Sequence, residues 1–386
     1  MSYNFSESEE LQLLRRSVRL FAEKEIAPKA HELDESESFS IELTRMMGEL
    51  GLFGTIVPSE YGGQDMDYIS YIVAVEELAR VDGSQAATIA AHNSLGAGPL
   101  YYYGNESQKR EYLPKLCTGN GLWAFGLTEA GAGSDAQASK THARFDSATQ
   151  EWIINGSKIW ITNSASDLTM GITVQAITGK RSDGKNELSC FIVPADAKGL
   201  TRRAMKGKMM WRASNTGELY FDNVRVPARN ILGQQGQGFK MMMETLDNGR
   251  LSIGAMGLGL AKGCLDLSVR YANERKTFGV AIAKHQAIAF KLAEMATRIE
   301  AAETLLYRAC WLKQTGGGFQ KHAAMAKLYC SEVAEFCARE GQQIFGGYGL
   351  MKEYPIERHY RDAALLRIGE GTSEIQRLVI SRYIGC

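Results

Sequence analysis

The sequence predicts an α+β protein in which helices and strands occupy separate blocks. Three observations carry this. Helical apolar spacing, closed repeatedly by glycine, fills the first third of the chain. From about residue 121 to 230 the segments are short and rich in β-branched and aromatic residues. From about 235 long helical patterns return and continue to the end. Helix, strand and helix in blocks, without alternation, mean segregated units and no βαβ sheet. The expected division is a helical unit over 1–120, a β unit over 121–232 and a second helical unit over 233–386.

Leu11, Leu14, Val18 and Phe21 form the first apolar stripe, opened by "SESEE" and followed by Pro28. "SIELTRMMGELG" and "DYISYIVAVEELARVDG" are the next helices, and "ESQKREYLPKLCTG" reads as a fourth. In the middle block "LWAFGLTEA", "EWIINGSKIWIT", "LTMGITVQAI", "LSCFIVPA" and "GELYFDNVRVP" read as strands, with Asn155-Gly156 as a type I′ hairpin turn. "GAMGLGLAKG" (254–263) resembles a nucleotide fingerprint but follows no strand. Gly254, Gly257 and Ala261 share one helical face, so close helix packing is the better reading. "GAGSD" (131–135) also lacks the full fingerprint, so a bound dinucleotide needs an architecture other than a Rossmann unit. Near the C-terminus Ser373 and Gln376 make a capping-box pattern ahead of Ile375, Leu378 and Val379.

Composition excludes several classes. In 386 residues Lys+Arg and Asp+Glu are equal at 44, which leaves no basic field for nucleic acid. No run of 18 apolar residues marks a membrane helix. "MSYNFSESEELQLLRR" is acidic and amphipathic, unlike a targeting peptide. The seven cysteines are scattered without a CxxC, which fits reduced thiols in a cytoplasm. The six histidines form no metal-ligand cluster.

Glu370, between Gly369 and Gly371, poses the sharpest chemical question. Glycines on both sides free the backbone and let another molecule approach. Alone, the stretch reads as a loop leading into a helix, with a carboxylate near the positive end of the dipole. Other stretches change that. "FGLTEAGAGSDA" (125–136), "KIWITN" (158–163), "LDNGR" (246–250), "ERKTFG" (274–279), "HQAIAF" (285–290), "QIFGGYGLMKEYPIERHYRDA" (343–363) and "GEGTSEIQRLVISR" (369–382) occur in that order. In order, spacing and length they resemble the acyl-CoA dehydrogenase family across nearly the whole chain. The resemblance implies an N-terminal helical domain, a middle β-barrel domain and a C-terminal four-helix bundle. It also implies an FAD enzyme that removes a proton from the α carbon of an acyl-CoA and a hydride from the β carbon.

By that resemblance Glu370 is the catalytic base. Proton abstraction next to a thioester needs a carboxylate whose basicity a water-poor site raises. Its own N–H, with a flavin ribityl hydroxyl, would bind the thioester oxygen as an oxyanion hole. Gly369 and Gly371 would let the acyl thioester lie against the backbone. Some family members carry the base on the "LDNGR" helix, where this chain has Gly249. Asp247 and Arg250 match positions that hold CoA, as do Arg382 and, more weakly, Ser189. Read without the family, Asp247 is an ordinary helical acid.

Phe125, Leu127, Thr128, Gly133 and Ser134 match the segment covering the flavin and the pantetheine channel, and Thr128 would donate to the flavin. Trp160 and Thr162 match a second flavin-covering segment; without the family Trp160 is equally well a barrel aromatic. Arg275, Phe278 and Gln286 match residues that reach the FAD of a neighbouring subunit, with Gln343, Phe345, Gly346 and Gly347 beside its diphosphate. Thr372 and Glu374 fall at FAD-lining positions. The implied partners are an acyl-CoA, an electron-transfer flavoprotein and further copies of the chain in a homotetramer.

Two departures concern the substrate. Medium-chain members carry glutamate three positions after a threonine like Thr88, where this chain has Ala91; they carry tyrosine where this chain has Gly369. Both changes remove bulk. A roomier pocket suits a branched or alicyclic acyl group, unless Tyr102 or Met241 refills the space. The competing classes are a flavin oxidase or monooxygenase on the same fold, against which Glu370 argues, and a helical scaffold without activity.

Overall fold

The computed structural model describes residues 7–386; the first six residues of the acidic N-terminal stretch lie outside it. The first helical block contains α1 (Glu9–Phe21), α2 (Ala27–Ser36), α3 (Ile41–Glu49), α4 (Tyr68–Ala79), α5 (Gly83–Ala91), α6 (Gly98–Tyr103) and α7 (Glu106–Leu116). Ser8 caps α1 by accepting from the Leu11 N–H at 3.2 Å. Pro28 does not end the first helix: a π turn over Ala22–Ile26 carries the chain into α2, where Pro28 sits in the first turn and needs no N–H partner. Arg15 fastens α1 to α4 through Glu76 at 2.8 Å and Glu77 at 2.6 Å.

The strands are β1 (Leu122–Gly126), β2 (His142–Asp146), β3 (Glu151–Thr162), β4 (Thr169–Lys180), β5 (Asn186–Pro194), β6 (Leu200–Ala204), β7 (Thr216–Pro227) and β8 (Ile231–Leu232). They form one sheet in the order β6-β7-β3-β2-β4-β5-β8, with β1 parallel to β4. Trp152 on β3 meets Phe191 on β5 with ring centroids 5.2 Å apart. Three strand steps on a flat sheet would separate them by about 14 Å, so the sheet curls around its apolar core of Ile154, Ile172, Val174, Val193 and Phe221. Asn155-Gly156 is not a hairpin turn. Both residues lie inside β3, at a bulge against β7, and the turn that joins β2 to β3 is at residues 147–150. The Asn-Gly pair supplies the irregular backbone a bulge needs: Gly156 has φ +142°, and a Cβ there would sit 2.5 Å from Thr141 Oγ1.

The last block contains α8 (Gly238–Glu274), a small ribbon of β9 (Lys276–Thr277) and β10 (Val280–Ala281), then α9 (Gln286–Gln314), α10 (Gln320–Phe345), α11 (Pro355–Leu366) and α12 (Ser373–Ile384). The 37 residues of α8 span roughly 55 Å. Its glycines act as expected. A Cβ on Gly254 would come within 3.1 Å of Leu306 on α9, and one on Gly257 within 2.8 Å of the Cys330 carbonyl on α10. Small residues there let α8, α9 and α10 pack closely. None of the helices is long and apolar enough to cross a membrane, among the described residues.

Candidate active site

The helix after Glu370 starts one residue earlier than the capping box predicted. Thr372, and not Ser373, is the N-cap, its hydroxyl accepting from the Ile375 N–H at 3.3 Å. Gln376 is used differently: its Nε2 donates to the Gly371 carbonyl at 2.9 Å and to the Glu370 carbonyl at 3.3 Å. Lys327 Nζ, from α10, donates to the same Gly371 carbonyl at 2.7 Å. These bonds fix a strained turn. Glu370 has φ +53° and Gly371 φ +95°, and the left-handed region disfavours a glutamate unless its surroundings impose it. At Gly371 a Cβ would also sit 2.8 Å from Gln376 Nε2.

The turn aims the Glu370 side chain at α8. Its Oε2 is buried and has no hydrogen-bond partner among the described residues, and a Cβ on Gly249 would lie 1.8 Å from it. The space a side chain would fill on "LDNGR" is therefore taken by this carboxylate. Burial raises the Glu370 carboxyl to about 7, against the opposing pull of Lys327 and Arg250. The Glu370 N–H has no acceptor among the described residues. Arg250 is buried and paired with Asp247, while its Nε is left unpartnered. Tyr68 donates to the Asn248 carbonyl at 2.9 Å and Tyr71 to the Ala90 carbonyl at 2.8 Å, which ties α4 and α5 to this part of α8. Ala91 closes α5, and Leu95, four residues on, reaches to 3.1 Å of the same point above Gly249.

In the middle unit Phe125 and Leu127 are buried under the loop that carries Thr128, while Gly133 and Ser134 are exposed. Thr128 and Trp160 are brought side by side, since the Ile159 N–H donates to the Thr128 carbonyl at 3.0 Å. Trp160 is 58 % exposed with φ +58°, an unfavourable setting for an aromatic side chain; Thr162 is half-buried at the end of β3.

A buried ion pair that sequence reasoning missed holds this loop. Lys158 Nζ donates to Glu129 Oε1 at 2.8 Å and to the Leu127 carbonyl at 3.0 Å. Glu129 also accepts from Ser139, from the Lys140 N–H at 2.7 Å and from the Thr141 N–H at 3.1 Å. Burial opposes the charged Glu129, but Lys158 and these donors outweigh it and hold the carboxyl down at about 2. Glu129 and Lys158 lie 29 residues apart, so no local spacing in the sequence signals the pair.

A separate cleft of about 690 Å³ at the far end of α10 is lined by Arg275, Phe345, Gly346, Gly347 and Tyr348. The Arg275 guanidinium lies 5.7 Å from the Tyr348 ring centroid, and Phe345 stacks on Tyr271 at 4.1 Å. Gly346 and Gly347 face open space. Gln286 and Gln343 are exposed, and Phe278, at φ +49°, is 96 % exposed. Glu374 and Arg382 are exposed on α12, and Gly369 is half-buried.

Ser189 departs from expectation. It has no exposed surface, and its hydroxyl is already engaged by Thr178 Oγ1 at 2.8 Å and by the Gly236 N–H at 2.9 Å. The alternation of β5 turns it inward, so it fastens the start of α8 to the sheet and is not open to a phosphate.

Comparison with known proteins matches this arrangement along its length. The N-terminal domain of acyl-CoA dehydrogenases matches residues 8–120, the middle domain 124–224 and the C-terminal domain 236–385. A probable acyl-CoA dehydrogenase of Bacillus subtilis is 50 % identical over 381 residues, covering 99 % of each chain. The butyryl-CoA dehydrogenase structure from Megasphaera elsdenii superposes with a TM-score of 0.95 at 40 % identity, covering 99 % of this chain and all of the other. A structure from work on the electron transferring flavoprotein of Acidaminococcus fermentans does so equally well, at 42 % identity and the same coverage. An unpartnered buried carboxylate oxygen, an exposed tryptophan and an open diglycine turn are what FAD and an acyl thioester would complete, and the chain belongs to the acyl-CoA dehydrogenase family, oxidoreductases that carry FAD.

Proposed function

We propose that this enzyme oxidises a short, branched or alicyclic acyl-CoA to the 2-enoyl-CoA, with Glu370 as the base. One observation carries the reading: among the described residues Glu370 Oε2 has no hydrogen-bond partner, and it lies in the space a side chain at position 249 would fill. A carboxylate kept near pH 7 by burial is poised to accept a proton and is poorly suited to a structural ion pair. The α C–H bond breaks, its proton passes to Glu370, and the electron pair moves toward the thioester carbonyl. The Glu370 N–H then donates to the carbonyl oxygen, a preorganised donor held by Gln376 and Lys327. FAD, when bound, supplies the acceptor for the β hydride. Thr128, Trp160 and Thr162 would cover its ring, with Phe125, Leu127, Gly133 and Ser134 beneath and beside the channel; Thr372 and Glu374 would line it from the other side. Asp247, Arg250 and Arg382 would hold the CoA portion.

The Arg275 cleft lies 18 residues along α10 from Lys327, about 27 Å at the helical rise. That separation favours Arg275, Phe278, Gln286, Gln343, Phe345, Gly346 and Gly347 serving the cofactor of a neighbouring subunit, in a homotetramer built from two dimers. Light scattering should report about four chains per particle, and a monomer that retains FAD would contradict this. An electron-transfer flavoprotein is the proposed acceptor, a reading supported by the likeness to the structure from the Acidaminococcus fermentans flavoprotein work. The free thiols, six of them buried, suit a cytoplasmic enzyme.

Acyl selectivity is expected to follow from Ala91 and Gly369. A Cβ on Gly369 would meet nothing closer than Leu365 at 3.7 Å, so that side is roomy. The test is bleaching of the flavin absorbance by a panel of acyl-CoAs. Butyryl-CoA and cyclohexane-carboxyl-CoA should both reduce it, and long straight chains poorly. Gly369→Tyr should penalise the ring substrate more than butyryl-CoA, within the ~1–3 kcal/mol that pocket fit supplies. Equal effects on both would remove Gly369 from the selectivity argument.

A further inference from the structure

We propose that Lys327 is a positioning residue for the reaction: its ammonium anchors the Gly371 carbonyl, and so the strained Glu370 turn, while its charge keeps the base ionisable. The proposal rests on the reading of Glu370 as base. Lys327 is fully buried in α10, and its side chain has one hydrogen-bond partner, the Gly371 carbonyl. A buried ammonium satisfied by a single neutral acceptor is a costly arrangement, and a methionine would fill the same space without it.

The surroundings show what that cost maintains. One helical turn further on, Ser331 donates to the Leu366 carbonyl at 2.8 Å. The same face of α10 therefore grips the loop at its root and just beyond Glu370. Four elements face the carboxylate. Arg250 comes from α8, but Asp247 shares its charge. Tyr68 and Tyr71 come from α4 and are held to carbonyls. Glu374, on α12, is exposed. Lys327 is the cation that faces Glu370 with no paired carboxylate of its own among the described residues. Burial drives both groups toward neutrality, Glu370 up to about 7 and Lys327 down to about 8. Without Lys327 nothing but Arg250 would resist the first of these shifts.

The test separates the anchor from the charge, in the FAD-loaded enzyme. Lys327→Gln keeps a donor for Gly371 and loses the charge; Lys327→Met loses both; Lys327→Arg keeps the charge. The readouts are the pH profile of flavin reduction by butyryl-CoA and an infrared titration of the Glu370 carboxyl without substrate, its band assigned with Glu370→Gln. In Gln and Met variants the acid limb and the carboxyl midpoint should both move to higher pH, by on the order of one unit or more. The Arg variant should keep the wild-type midpoint. The Met variant should also lose at least ~10-fold in limiting rate through a displaced base. If the Met variant fails to accumulate, the Gln–Arg contrast alone decides. Unmoved midpoints in the Gln variant would overturn the proposal and leave Lys327 a packing residue. Should Glu370→Gln reduce flavin at the wild-type rate, the assignment of the base fails, while the infrared midpoint still reports whether Lys327 controls that carboxyl.

Discussion

Two glutamates with buried carboxylate oxygens are driven in opposite directions in this molecule. Glu129 accepts from Lys158, Ser139 and two backbone N–H groups, and its carboxyl is held at about 2. Glu370 Oε2 accepts from no group among the described residues, and its carboxyl is raised to about 7. Burial pushes both the same way, so the difference lies in the donors. A carboxylate with both oxygens engaged by donors is finished; it fastens the loop from Leu127 to Thr141. One set over a glycine with its outer oxygen unpartnered is waiting for a partner. Both arise from the same residue type, and composition cannot tell them apart.

The contrast is broken most directly by removing the proton acceptor at one site and the paired cation at the other. Glu370→Gln keeps size and backbone N–H but removes the proton acceptor. Flavin reduction by butyryl-CoA should fall ~10²–10⁴-fold, with FAD content close to wild type and no loss of melting temperature. Reduction at a comparable rate would move the base elsewhere. At the other site the damage should be to the fold. Lys158→Met strands the Glu129 carboxylate, and breaking such a pair typically costs ~3–5 kcal/mol. Chemical denaturation should show that loss, together with weaker FAD retention, because Thr128 and Trp160 hang from the same segment. If Lys158→Met melts like wild type and only slows catalysis, the two glutamates do not divide fold from chemistry in this way.

Gly249→Ala asks how narrowly Glu370 is placed. The added methyl would occupy the position of Oε2, so the carboxylate must swing away while the helix, if anything, gains propensity. Turnover should drop by at least ~10-fold with little loss of stability, since an ångström of misplacement is costly to catalysis. Activity near wild type would mean that the carboxylate has a second productive position.

The sequence made one half of this comparison legible. Block order, the strand-rich middle and the glycine-lined face of α8 all follow from local pattern, and the structure bears them out. Glu370 stood out because flanking glycines are local too. The rest was hidden for reasons that can be named. Glu129 and Lys158 are 29 residues apart and Lys327 and Gly371 are 44 apart, so neither partnership leaves a periodic trace. A buried lysine looks like any helical or strand lysine until its neighbours are known. Asn155-Gly156 carries a strong turn signal, yet the bulge in β3 used the same backbone freedom without reversing the chain. Thr372 displaced Ser373 as cap because the Lys327 and Gln376 bonds decide where the loop ends. Ser189 lay on a correctly read strand, but its inward face was set by partners on β4 and before α8.

The smallest expected effect is the most specific to the contrast, and it is read in the pH dependence of stability. Glu370 titrates near 7 in the folded chain and near 4.5 as a free carboxyl. Its neutral form therefore suits the fold: the contribution is complete below pH ~4.5 and is lost as pH rises through 7. Glu129 is the reverse case, with its folded value at about 2 against 4.5. Its contribution is complete above pH ~4.5 and is lost as pH falls toward 2. Glu370→Gln should then melt higher than wild type at pH 8 in the substrate-free enzyme and level with it at pH 4.5. Glu129→Gln should melt lower at pH 7, with the deficit shrinking toward pH 2. For a chain of this size 1 kcal/mol moves the melting temperature by only about 2–4 °C or less, so calorimetry across the range is needed. A substrate-free Glu370→Gln that is no more stable at pH 8 would mean that something already neutralises this carboxylate, and the unpartnered oxygen over Gly249 would lose its meaning.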